Sequence, residues 1–130
     1  MKFEDFAYRL ESDRPFDEVV QNLREQTAAH QFRVLAEHDV QQTLAEKGFE
    51  RGPLTILEIC NARFAHEATQ REIGAAIFMP CRYSIHTERG KTVVTLGRPS
   101  LISQMLPAAG LDQLAATVEQ TLKSIMQKSV

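Results

Sequence analysis

Leu54-Thr55-Ile56-Leu57-Glu58-Ile59-Cys60 runs directly into Asn61-Ala62-Arg63-Phe64-Ala65-His66, and the reading of that junction decides the architecture. The first seven residues carry apolar side chains on both faces, with Glu58 the exception, and read as a strand. Asn61 is suited to cap a helix, because its side-chain oxygen can accept free N–H groups of the first turn. That helix is expected from Ala62 to about Gln70, with Phe64, Ala65 and Ala68 as its buried stripe.

Working back toward the amino end, Glu50-Arg51-Gly52-Pro53 reads as a polar turn. Asp39 caps a brief helix before it, with Gln42 three residues on and Gly48 as a left-handed stop. Phe32, Val34 and Ala36 alternate with Arg33, Leu35 and Glu37, giving another strand. Before that strand, Phe16, Val19, Val20, Leu23 and Thr27 share one helix face. Pro15 suits its first turn, Asp13 is the expected cap, and Asp17 and Glu18 complement the positive helix end. Alternation over Phe3 to Leu10 predicts the first strand.

Toward the carboxyl end, Gly74 is expected to open a strand with Ile77, Met79, Cys81, Tyr83 and Ile85 on one face. Pro80 cannot donate to a ladder and implies an edge or a bulge there. Glu88-Arg89-Gly90-Lys91 is a turn, and Thr92 to Leu96 completes a hairpin. Leu101 to Leu106 is a short helical segment, interrupted at Pro107 and Gly110. Leu111, Leu114, Ala115, Val118, Leu122, Ile125 and Met126 mark a long amphipathic helix. The expectation is one α+β domain over residues 1–130, with an antiparallel sheet of about five strands. The helices starting at Pro15 and Leu111 pack on one face.

The chain has 130 residues, 43% hydrophobic and 25% charged, as a globular domain should. Lys plus Arg is 15 against 17 for Asp plus Glu, a net charge of -2. This balance lacks the basic footprint of a nucleic-acid binder and gives no surface for an anionic membrane. The amino terminus has no signal-peptide core, and the longest apolar run, Ala75 to Met79, is far below the roughly 20 residues a membrane span needs. Two cysteines make no disulfide framework. A cytoplasmic protein is expected.

Cys60, at a strand end and before a helix, could have its thiol lowered below the free-cysteine value of about 8.5 by the helix dipole and Arg63. His66 is the candidate base. Cys81, between Met79 and Tyr83, is the weaker nucleophile, and packing would raise its thiol. The two cysteines could form a redox pair if their Cα atoms lie within about 7 Å. Cys60, His66 and Cys81 are the candidate ligands of a metal with an open position. Nothing in the pattern names a cofactor. His30, His38 and His86 read as solvated.

Pro15 to Val20, Glu37 to Lys47, Cys60 to His66 and Ile73 to Cys81 together resemble the family known as domain of unknown function 302. The likeness covers nearly the whole chain. Its centre is a Cys-Asn-Pro-x-x-Ala-His motif followed by Leu-Pro-Cys, matched at Cys60, Asn61, Ala65, His66, Pro80 and Cys81. Ala62 stands for the proline and Met79 for the leucine. Arg98-Pro99 departs from the more frequent Asp-Pro, so no role for that acid carries over. The resemblance implies a TATA-binding-protein-like α+β fold, often dimeric, and no activity. Such a fold alone is no ground for DNA binding.

No complete catalytic constellation is present, which favours a non-enzymatic ligand-binding or regulatory module over an enzyme. Its site would be a polar pocket lined by Cys60, Asn61, Arg63, His66 and Cys81, with a small molecule as ligand. The alternatives are a thiol-based redox or sulfur-transfer protein centred on Cys60, or a Cys/His metal-binding protein. A homodimer is expected, since an antiparallel sheet leaves an edge that is usually covered.

Overall fold

Five strands pair into one antiparallel sheet, in the order β1-β5-β4-β3-β2, in the computed structural model, which describes residues 1–130. The strands are β1 (Ala7–Ser12), β2 (Arg33–Asp39), β3 (Leu54–Cys60), β4 (Cys81–Glu88) and β5 (Lys91–Gly97). The helices are α1 (Phe3–Phe6), α2 (Phe16–Ala29), α3 (Val40–Ala45), α4 (Ala62–Arg71), α5 (Ser100–Met105) and α6 (Asp112–Ser129). Short 3-10 turns cover Ile73–Phe78 and Pro107–Ala109.

Period-two alternation puts Leu57, Ile59, Tyr83, Ile85, Val94 and Leu96 on one buried face of the sheet. Val19, Val20 and Leu23 of α2 pack there with Val118, Leu122, Ile125 and Met126 of α6. Both long helices therefore cover the same face, as their apolar stripes require. Each such side chain contributes roughly 1.5–3 kcal/mol by leaving water. Away from that core lie exposed ion pairs: Arg9 with Glu11 and Glu88, and Arg82 with Glu58. His38 pairs with Glu58 and His86 with Glu88. His30 lies against the Gln26 carbonyl at 2.7 Å, so it is locally bonded rather than simply solvated.

Local chemistry accounts for the junctions. The Asn61 side chain accepts the N–H groups of Arg63 and Phe64 at 3.0 and 3.2 Å. Asp39 accepts from the Gln42 N–H at 3.0 Å, and Gly48 is left-handed at φ +82°. Asp13 does not cap α2; its carboxylate pairs with Lys91, and Pro15 stands at the helix start with no side-chain cap. Phe3–Phe6 is a single helical turn, so β1 begins only at Ala7.

The largest correction falls on the strand expected from Gly74. Ile73–Phe78 is a 3-10 segment, and β4 starts only at Cys81. The Glu72 carboxylate accepts the Gly74 N–H at 3.3 Å, and the Glu72 carbonyl accepts from Ala75, so the chain closes locally. A continuous apolar run such as Ala75 to Met79 has no period that separates strand from turn. Ile77 accordingly stands 81% exposed. Pro80 makes no bulge inside a strand; it immediately precedes β4, where a missing N–H costs the ladder nothing.

Candidate functional site

The open ends of β3 and β4 meet beneath α4, α5 and α6, and there the side chains leave a cavity of about 60 Å³. Ile59 pairs with Cys81 across the ladder, so Cys60 is one residue beyond a direct partner. Ladder spacing then sets the two cysteine Cα atoms about 6 Å apart. Both cysteines line the cavity, as do Asn61, Met79 and Pro80. Of its 16 lining residues, 13 are hydrophobic. The site is an apolar pocket carrying sulfur, not the polar one the sequence suggests.

Asn61 fixes the geometry of the junction. Its side-chain oxygen caps α4 while its amide donates to the Gln31 carbonyl at 3.0 Å. This anchors the turn between β3 and α4 to the segment leading into β2. The ring of Phe64 packs against that of Phe32 with centroids 6.0 Å apart, closing one wall.

Arg63 and His66 do not join the cavity. Both are exposed, on the part of α4 turned away from it. The reason is helical geometry: His66 is two residues beyond Phe64, about 200° around the axis. No group of three or more His, Cys, Asp or Glu side chains is placed to hold a metal ion, so the Cys60, His66, Cys81 ligand set does not form.

The thiols also behave differently from the expectation for Cys60. Burial raises its thiol above the ordinary value. Two of the donors that would have lowered it, the Arg63 and Phe64 N–H groups in the first turn of α4, are already taken by the Asn61 side chain. Burial, then the neighbouring Cys60, pushes the Cys81 thiol up to about 11 against a smaller opposite pull from Arg82. Neither cysteine is a thiolate at neutral pH, and neither has a base on the cavity wall.

Sequence reasoning missed Met79, Phe32, Ile102 and Leu111 as lining residues. Only Met79 had a usable signal, its position two residues before Cys81 on what looked like one strand face. The others arrive from distant elements. No helix is long and apolar enough to cross a membrane.

A profile of the family described as domain of unknown function DUF302 matches residues 8–129. The fold is also similar to a solved structure, that of the uncharacterized conserved protein DUF302 from Bacillus stearothermophilus. The two are 26% identical, with 96% of this chain and 98% of that chain covered and a TM-score of 0.91. No curated protein matches the chain.

Proposed function

The chain belongs to the DUF302 family, and from that premise we propose that it is a non-enzymatic binding module whose site is the pocket between β3, β4, α4, α5 and α6. One observation carries the reading. Among the residues lining the pocket, the two thiols are the only titratable groups, and both are held protonated. A pocket with no base, no acid and no charged side chain can hold a ligand but is poorly equipped to transform one. Cys60 and Cys81 are the polar side chains left on its wall, since the Asn61 amide is spent on capping α4 and on the Gln31 carbonyl.

Size narrows the ligand. A cavity of about 60 Å³ is far below the ~300 Å³ at the lower end of drug-sized sites. It suits an ion or a group of a few atoms. Xenon is a fitting probe, since it enters dry apolar cavities. Saturable xenon-induced shifts in the methyl resonances of Met79, Ile59 and Ile102 are expected, and Ala65→Leu should abolish them by filling the space. Absence of any shift in the folded wild-type protein would remove the reading.

A further inference from the structure

We propose that the pocket takes the end of a linear aliphatic chain, with the rest of the chain lying on the apolar surface at its mouth. The proposal rests on the pocket being the binding site and names the class of ligand it holds. Inside, Ile59, Phe64, Ile102 and Leu114 present only hydrocarbon, and no charged side chain belongs to the wall. The Asn61 side chain is committed to the α4 cap and to the Gln31 carbonyl. A charged or amide-bearing group seated there would lose its water without gaining a partner.

Size decides between shapes of apolar ligand. A cavity that holds a benzene ring measures about 150 Å³, against about 60 Å³ here. A ring is therefore excluded. A water-sized group occupies about 30 Å³ of liquid, so roughly two carbons of a chain end fit, with no room for a branch. The cavity opens to solvent, which gives a longer chain its way out.

The surface beside the opening continues the apolar wall. Met105 lies three residues after Ile102 on α5, on the same helix face as that lining residue, and is 48% exposed. Ile77 stands 81% exposed, two residues before the lining Met79. Ala75, fully buried in the same 3-10 turn as Ile77, shares one small cluster with Met79, Ile102 and Leu106, so the turn and α5 adjoin. Exposed apolar surface continuous with a cavity is the ordinary mark of a ligand groove.

The test is an NMR titration of the full chain with 1-propanol, 1-butanol, 1-hexanol and 1-octanol, following the methyl resonances of Met79 and Ile102. Affinity should rise with length, by up to about 4-fold for each added methylene that leaves water. Benzyl alcohol should shift neither resonance. Ile77→Ser and Met105→Ser should leave 1-propanol affinity unchanged. Each should cut the advantage of 1-octanol over 1-propanol by about 4-fold, the worth of one methylene. Both substituted residues lie outside the core, and circular dichroism checks that both variants fold. Phosphatidylcholine vesicles should not pellet the protein, since the opening admits one chain end rather than a bilayer face; pelleting would overturn the free-chain assignment. Equal affinity along the series, or benzyl alcohol bound as tightly as 1-hexanol, overturns the proposal outright. Xenon shifts without alcohol binding would sink the aliphatic ligand and leave the binding module standing, whereas loss of both would remove the two together.

Discussion

The carboxylate of Glu119 on α6 accepts two hydrogen bonds from the Arg98 guanidinium, at 3.3 Å from Nε and 3.1 Å from Nη2. Glu119 also accepts the Ser100 N–H at 3.1 Å and faces the Lys123 ammonium at 3.2 Å. Arg98 in turn donates to the Glu4 carbonyl at 2.9 Å. One nearly buried acid thus ties the end of β5, the start of α5, α6 and, through Arg98, the amino-terminal turn.

That carboxylate makes stability fall in acid. Burial alone would raise its pKa, but hydrogen bonds from Ser100, Arg98 and Lys123 outweigh that and hold it at about 2. A group lowered on folding stabilises fully above its unfolded value, and the contribution is lost as pH falls through the folded one. The loss should run from about pH 5 down to about pH 2, amounting to roughly 3 kcal/mol. Urea midpoints of wild type and Glu119→Gln should therefore differ at pH 7 and converge by pH 2. Parallel curves across that range would contradict the assignment.

Both thiols should be sluggish. With Cys81 at about 11 against an ordinary 9.0, its thiolate fraction at pH 7 is down roughly 100-fold. Alkylation by iodoacetamide should be slower at Cys60 than in a cysteine peptide, and slower again at Cys81, read by mass spectrometry of digests. A Cys60 faster than the peptide would revive thiol chemistry.

Asn61 holds two jobs that substitution can separate. Asn61→Ala should lose the α4 cap and the bond to Gln31, at about 1–2 kcal/mol. Asn61→Asp keeps the accepting oxygen and should cost less. Chemical denaturation of the pair checks this, and equal costs would mean that the cap contributes little.

The 3-10 reading of Ile73–Phe78 makes a contrast between two isoleucines. Ile85→Ala, in the core, should cost about 2–5 kcal/mol, whereas Ile77→Ala should stay within about 0.5 kcal/mol. A large loss at Ile77 would return that residue to a packed strand.

Homodimerisation through the open β2 edge is proposed as well. β2 has a partner only on its β3 side, and Leu35, at the irregularity between Val34 and Ala36, is 53% exposed. Sedimentation at micromolar concentration should show twice the 14.7 kDa chain mass. A single species at the chain mass refutes it.

Much of the fold was legible because its signals are local. The boundaries of β3, the Asn61 cap, and the Val19, Val20, Leu23 and Thr27 stripe each follow from periodicity or one hydrogen bond. Residues Gly74 to Phe78 were not legible, since an unbroken apolar run has no period and the deciding contact is a carboxylate at Glu72. At the site, the meeting of Cys60 with Cys81 follows from strand pairing, which no short window contains. The exclusion of His66 was within reach, because a residue two beyond Phe64 cannot share its face. Asn61 misled in a different way: the residue that makes the helix start also takes up two of the free donors at its positive end.

The strand order carries a consequence for synthesis. β1 is made first yet pairs only with β5, through Ala7 with Gly97, and the Arg98 bond to Glu4 spans 94 residues. While the ribosome is still extending the chain, β1 has no partner to meet, and α2 lacks both β4 and α6. The antiparallel neighbours β2, β3, β4 and β5 can pair in the order they emerge. The amino-terminal strand must wait, closing the longest loop of any strand pairing in the sheet at the greatest entropic cost among them. A chain truncated before Lys91 would therefore leave its first strand unpaired and exposed to other nascent chains.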